Sequence, residues 1–349
     1  MSATTPLEIL RHIGWRGALP DVPVARVVAQ HRAGYELHDG VSVFAAQPAG
    51  HFLKRSLDPT QRPAVGDFVV WTDTATPEIT QILPRRSTLT RAAAGERYAR
   101  QLIATNIDHV LVLTGLDGDF NPRRIERYLL LIEGSGARAV VLLGKADRDA
   151  QATARLAQLR ERLPEGTPLH LINSKDPDSI RILAPYLGPG DSAVLVGSSG
   201  AGKSTLTNTL LGESRMATGR VRRSDSRGRH TTTHRALLPL PTGGCLIDTP
   251  GMRELKLTGE ESMDLFADIE ALALRCRFAD CQHGNEPGCA VQAALASGEI
   301  DAARWHNYRK LRDEREQQAA QLQARRQRKG EGRRSGRSPG RRPRDRGVD

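Results

Sequence analysis

The stretch Ser192-Ala-Val-Leu-Val-Gly197-Ser-Ser-Gly-Ala-Gly-Lys203-Ser204-Thr-Leu-Thr-Asn-Thr-Leu-Leu211 decides the fold. Its apolar beginning reads as a buried strand and its end as a helix. Between them, residues 197–204 satisfy G-x-x-x-x-G-K-[ST] at every position, in the strand–loop–helix context that a phosphate-binding loop requires. The glycines let the chain curl so that successive N–H groups face one anion, and the helix N-terminus adds its positive end. Gly197, Ser198, Ser199, Gly200, Ala201, Gly202 and Thr205 are expected to line the cradle. Lys203 is expected to reach the β- and γ-phosphates as a catalytic charge, and Ser204 to ligate Mg²⁺.

Outward from this loop, residues 101–259 alternate strand and helix. Strands are expected at 109–114, 137–143, 168–172, 192–196, 236–240 and 244–247, and helices at 122–133, 150–162, 177–186 and 203–211. That alternation predicts a mostly parallel sheet covered on both faces, with ligands at the carboxyl ends of its strands. Asp248-Thr-Pro-Gly251 follows the apolar Cys245-Leu-Ile, so Asp248 ends a strand where it can hold the Mg²⁺ shell, and the Gly251 N–H can sense a γ-phosphate. Arg229-His-Thr-Thr-Thr-His234 lies in a polar Gly/Ser/Arg stretch between the two motifs, as nucleotide-ordered switch loops do. Of Thr231 and Thr232, Thr232 is the preferred switch residue and magnesium ligand.

Selecting guanine requires acceptors facing its N1–H and N2–H₂ donors, which one carboxylate supplies. Gly144-Lys145-Ala146-Asp147 follows an apolar strand and matches N-K-x-D except that Gly144 replaces Asn. Asp147 should read the base, with affinity lowered by the missing Asn. Asn173-Ser174-Lys175 follows the next strand and is placed for backbone contacts to the guanine carbonyl. These elements precede the phosphate loop, the reverse of the order in ordinary small GTPases. The site is therefore circularly permuted, and the segment after Gly251 leads directly into the Cys/His region. Met252 stands where many GTPases carry a water-positioning Gln. His230 is the candidate for that role, a partner being the other source, and slow hydrolysis in isolation is expected.

Residues 21–91 have a different texture. Short β-favouring runs at 24–30, 35–38, 41–46 and 67–72 are separated by turn signals, which suggests a small barrel of oligonucleotide-binding or SH3-like type. Near the other end, Cys276-x₄-Cys281-x-His283-x₅-Cys289 places three thiols and an imidazole within 14 residues. That donor set suits one closed, structural Zn²⁺ site per chain, while Cys245 reads as a plain buried thiol.

The formal net charge is +11, and residues 321–349 hold eleven basic against three acidic residues. Much of the excess thus sits in a Gly/Pro/Ser/Arg tail of disordered composition, which points to contact with RNA. No apolar run approaches the roughly 20 residues a bilayer needs, and Met1-Ser-Ala-Thr-Thr-Pro lacks a secretory layout. A cytoplasmic monomer without membrane contact is expected.

Together these residues resemble the ribosome small-subunit-dependent GTPase (RsgA, YjeQ) family. The resemblance covers about residues 22–305. It includes Ala64-Val-Gly-Asp67, Arg85-Arg-Ser-Thr-Leu-Thr-Arg91, Asn106-Ile-Asp108, Gly115-Leu-Asp-Gly-Asp-Phe120 and Arg127-Tyr-Leu129, with the permuted motifs, Gly228-Arg-His-Thr-Thr-Thr-His234 and the Cys₃His cluster. It implies an N-terminal oligonucleotide-binding β-barrel, a circularly permuted P-loop GTPase domain and a C-terminal helical zinc domain. It also implies action late in maturation of the small ribosomal subunit, with rRNA contact and subunit-stimulated hydrolysis of GTP to GDP. The expected divisions are an extension over 1–20, barrel 21–91, GTPase domain 92–259, zinc domain 260–315, and helix end and tail 316–349. A P-loop ATPase or kinase is opposed by Asp147, and an RNA-binding module with a vestigial site by intact Lys203, Ser204 and Asp248.

Overall fold

The computed structural model describes residues 5–31, 33–54, 57–92, 100–213, 235–248 and 256–335, without the side chains of 325, 326 and 328–335. Helix α1 (Pro6–His12) precedes β1 (Val24–Gln30), β2 (Tyr35–His38), β3 (Val43–Pro48), β4 (Phe68–Trp71) and β5 (Glu78–Ile82). These five strands close on themselves in the order β1-β2-β3-β5-β4 and back to β1, all antiparallel except β3–β5. This is the oligonucleotide-binding arrangement, not the SH3-like one. Ala25, Val27, Leu37, Val69 and Ile79 fill its interior.

A hairpin of β6 (Thr88–Ala92) and β7 (Arg100–Thr105) follows, and the expected division at 91/92 falls inside it. The central domain comprises β8 (His109–Gly115), α2 (Pro122–Glu133), β9 (Arg138–Gly144), α3 (Ala152–Arg160), β10 (Leu169–Leu171), α4 (Pro177–Ile180), β11 (Ser192–Gly197), α5 (Lys203–Leu211), β12 (Ala236–Pro239) and β13 (Cys245–Asp248). Its strand order is β10-β9-β8-β11-β13-β12. The first five are parallel and β12 is antiparallel. Every residue of β11 is buried. The helix expected over 177–186 divides into α4 and a 3₁₀ segment, Arg181–Tyr186, that contains Pro185. Proline has no N–H for an i−4 bond and clashes with the preceding turn.

Both sheet faces are covered. Ile180, Leu206 and Leu211 of α4 and α5 pack on one. On the other, α2 and α3 share a core with Phe266, Ile269, Val291 and Trp305 from the C-terminal region, whose helices are α6 (Ala267–Ala273), α7 (Ala290–Ser297) and α8 (Ala302–Ser335). Helix α8 runs to Ser335, so the basic stretch expected to be disordered from 321 is helical for its first half. Its Gln, Ala, Arg and Lys residues are strong helix formers. Residues 336–349 lie outside the described ones.

Two buried charged groups tie the domains together. Arg26 of β1 is fully buried. It donates from Nη1 to the Ile13 carbonyl (2.7 Å) and Ser192 Oγ (2.8 Å), from Nη2 to the Asn106 carbonyl (3.0 Å), and from Nε to the Gly66 carbonyl (3.3 Å). Ser192 opens β11, so the barrel grips the base of the strand that carries the phosphate loop. On the other side, buried Glu126 of α2 accepts from Arg162 Nε (2.9 Å) and Asn307 Nδ2 and pairs with Arg304. A buried charge left without partners costs about 3–5 kcal/mol, so both sites hold their neighbours in place.

Candidate functional site

The phosphate loop leaves β11 at Gly197, where a Cβ would lie 2.1 Å from the Leu113 carbonyl oxygen of β8. Only glycine fits that approach. Gly202 (φ +108°) turns the chain into α5, and among the described residues no side chain caps this helix. Its first N–H groups are thus presented to the loop. Lys203 Nζ donates to the carbonyls of Gly197 (2.8 Å) and Ser198 (2.7 Å), so the loop curls around the ammonium. Asp248 ends β13, the strand adjoining β11, and is 8% exposed. Ser204 and Asp248 supply the hydroxyl and carboxylate oxygens that suit a hard divalent cation.

The residues expected to read the base sit at the ends of β9 and β10. Lys145 adopts a left-handed backbone (φ +60°), which turns its side chain back across the loop. Its Nζ donates to the Gly200 carbonyl (2.8 Å) and to Asp117 Oδ2 (2.5 Å). Desolvation raises the Asp117 pKa, but the hydrogen bonds from Lys145 and from the Asp119 N–H outweigh it and hold the carboxyl below its ordinary value. Asp147 is open to solvent, with 41% of its side chain exposed, and can receive a base. The Ala146 N–H donates to the Ile172 carbonyl (3.3 Å), and the Thr209 hydroxyl of α5 donates to the Ser174 carbonyl (2.7 Å). The Asn173–Lys175 turn is thereby pinned beside the phosphate loop. Ser174 Oγ is buried without a partner among the described residues, and lies 3.6 Å from the position a Gly202 Cβ would take. A polar atom left unsatisfied beside the cradle fits a nucleotide there.

Gly144 shows what the missing Asn changes. A Cβ at this position would lie 3.5 Å from the Ala201 carbonyl, 3.6 Å from the Thr114 carbonyl and 3.1 Å from Leu113 Cδ1. An amide there would bridge the base loop to the phosphate loop. Lys145 provides that bridge here through Gly200.

Two residues without an assigned role in the sequence reading enter the site. Asp119 Oδ2 accepts the Ser198 hydroxyl, and Asp119 Oδ1 pairs with Arg124 Nη1 of α2 at 2.5 Å. Asp117 and Asp119 lie in the loop after β8, and their position at the carboxyl end of a central strand was the available signal. His230, Thr231, Thr232, Gly251 and Met252 lie outside the described residues.

In the C-terminal region the ligand atoms of Cys276, Cys281, His283 and Cys289 all lie within 4.8 Å of one another. Cys276 and Cys289 Sγ are 3.9 Å apart and 3.5 and 3.6 Å from His283 Nδ1. A tetrahedral Zn²⁺ with ordinary bond lengths has S···S edges of about 3.8 Å and S···N edges of about 3.5 Å. The donor set and its spacing fit zinc. Burial, with the nearby Arg312, holds the His283 pKa below its ordinary value, so the ring is neutral as a ligand must be. The His283 ring packs edge-on against Trp305 (5.7 Å) at the start of α8, and Cys289 caps α7.

A phosphate loop on the central strand, an acidic strand end beside it and the turns expected to read the base, which come earlier in the chain, fit a circularly permuted P-loop GTPase. The model of the RsgA GTPase family matches residues 82–258, and the chain belongs to that family. It is 52% identical to the small ribosomal subunit biogenesis GTPase RsgA of Xanthomonas axonopodis pv. citri, over 93% of this chain and 94% of that protein. Its identity to the protein of the same name from Xanthomonas oryzae pv. oryzae is 54%, over 88% and 85%. Among solved structures it is similar to YjeQ from Thermotoga maritima, with a TM-score of 0.59 and 26% identity over 83% of this chain and 96% of that one. It also shares its fold with YloQ, a circularly permuted GTPase, with a TM-score of 0.56 and 23% identity over 85% of this chain and 98% of that one. GTP hydrolysis is accordingly its activity.

Elemental analysis of the purified protein is expected to give about one zinc per chain, and Cys289→Ala to lose both the metal and thermal stability; wild-type protein free of zinc would contradict the assignment. Gly144→Asn is expected to tighten GDP binding about fivefold, the worth of one hydrogen bond of ~1 kcal/mol. A Kd unchanged or raised in fluorescence titration would show that no bridge forms.

Proposed function

We propose that this GTPase binds the small ribosomal subunit late in its maturation and hydrolyses GTP to GDP and phosphate when the subunit stimulates it. One combination carries the reading: the phosphate cradle is complete, while Met252 occupies the place of the water-positioning Gln. A site built this way binds nucleotide and waits for help with water. The relatives indicate where that help comes from, since they are named small ribosomal subunit biogenesis GTPases. The basic balance of the chain agrees with an rRNA partner.

In this reading Asp147 accepts from the guanine N1–H and N2–H₂, Asn173, Ser174 and Lys175 frame the base, and Lys203 with the loop N–H groups holds the β- and γ-phosphates. Ser204, Asp248 and Thr232 would hold Mg²⁺, which would supply positive charge to the β- and γ-phosphates. Gly251 senses the γ-phosphate, and His230 positions the attacking water. Cys276, Cys281, His283 and Cys289 would hold a structural Zn²⁺ beside the start of α8. No described helix is long and apolar enough to cross a membrane. The protein acts as a cytoplasmic monomer with GTP or GDP and the subunit's rRNA as partners.

Phosphate release measured with and without purified small subunits tests this directly. Slow turnover alone and a rise of at least tenfold with subunits are expected; at about 1.4 kcal/mol per factor of ten, that is a modest gain for a supplied or ordered catalytic group. Absence of any rise would remove the subunit from the account. In the same assay His230→Ala is expected to lose most of the stimulated rate, and full stimulated turnover would take the water-positioning role away from His230.

A further inference from the structure

An open cleft of about 650 Å³ separates α2 of the GTPase domain from α8 of the C-terminal region. Its walls carry Arg123, Arg124 and Arg127 from α2, Lys256 from the segment after Asp248-Thr-Pro-Gly251, and Lys310 from α8. Glu314 is the single acid among the described lining residues, and it is already engaged. It accepts from Arg127 Nη1 (2.8 Å) and from the Leu257 N–H (3.2 Å). Arg124 is paired with Asp119. Arg123 and Lys310 are exposed and Lys256 is half-buried, and among the described residues these three form no ion pair. Three chain segments thus bring uncompensated cations to one concave surface, where they repel one another unless an anion joins them.

We propose that this cleft is a binding site for the phosphodiester backbone of RNA. The proposal rests on the reading that the partner is a ribosomal subunit. A single small anion would satisfy one pair of cations, but these line both walls of an open cleft, as contacts to successive phosphates do. Helix α8 continues from the cleft into residues 321–335, where six basic residues stand against Glu331, so one helix carries both the cleft wall and a basic extension. The site also touches the nucleotide machinery on two sides. Arg124 lines the cleft while its partner Asp119 holds the Ser198 hydroxyl of the phosphate loop. Lys256 follows the D-x-x-G segment, and its carbonyl accepts from the Ala92 N–H (3.1 Å). A backbone phosphate that draws on Arg124 therefore competes with a direct support of the phosphate loop.

The test is a salt titration of small-subunit binding with the full-length protein, in wild type, in Arg123→Gln/Lys310→Gln, and in the control Arg138→Gln/Arg181→Gln. The control residues lie at the amino end of β9 and beside α4 on the opposite sheet face. The cleft variant is expected to bind about tenfold more weakly at physiological salt, with the slope of log K against log salt shallower by about 1.4, the value for two lost contacts to single-stranded RNA. The control should change less than about twofold, and basal GTP hydrolysis should be unchanged in all three. A cleft variant that binds like the control overturns the site and leaves the subunit reading standing. If wild-type protein itself fails to bind subunits, the subunit reading falls. The same comparison on a labelled single-stranded RNA of about 20 nucleotides then decides the cleft, with equal affinities counting against it.

Discussion

The contact between β8 and the start of the phosphate loop constrains the whole nucleotide site. Leu113 is 1% exposed, and its carbonyl occupies the space where Gly197 would carry a Cβ. Its side chain also reaches toward Gly144, and toward Gly202 at the head of α5. Three glycines, two of the phosphate loop and one of the base loop, therefore converge on one buried leucine. The phosphate loop and the base loop keep their spacing because both pack against it, and a side chain at Gly197 would push the two central strands apart. Lys145 then ties the loops by a charged hydrogen bond to the Gly200 carbonyl, the link left once Asn is replaced by glycine.

Permutation moves the connections without moving the site. The strand order β10-β9-β8-β11-β13-β12 places both base turns on one side of β11 and Asp248 on the other. What changes is the chain that leaves the site. After Asp248 it passes Lys256, bridged to the hairpin at Ala92, and Leu257, whose N–H is held by Glu314 of α8. The segment at Lys256 and Leu257 is thus bracketed by the barrel-side hairpin and by α8. Arg26 and Glu126 anchor those two flanks through buried polar contacts, which lose their full value if either partner moves.

Much of this was legible because the signals are local. Strands at 24–30 and 35–38 and helices at 122–133 and 203–211 coincide with the structure, since periodicity and turn residues there agree with the tertiary environment. The phosphate loop and the Cys₃His cluster are short-range motifs whose chemistry survives any packing. Strand β5, Glu-Ile-Thr-Gln-Ile, is short and half polar, and its place follows from barrel closure against β3 and β4, not from its own pattern. The β6–β7 hairpin is hidden by its mixed composition and long connection. Helix α8 is polar on nearly every side beyond Leu322 and so carries no amphipathic signature. The Ser198–Asp119 bond joins residues 79 positions apart, and no spacing rule reaches that far.

The central claim is that Asp147, though placed before the phosphate loop in sequence, reads the guanine bound to that loop. Substituting Asp147→Asn exchanges one acceptor oxygen for an amide donor, which suits the 2-oxo group of xanthine in place of the 2-amino group of guanine. Calorimetric titration of GDP and of xanthosine diphosphate into wild type and Asp147→Asn is the direct test. The account predicts that wild type binds GDP and rejects xanthosine diphosphate by at least a hundredfold, and that the variant reverses the preference. A variant that keeps the wild-type preference for GDP would contradict the permuted reading of the site.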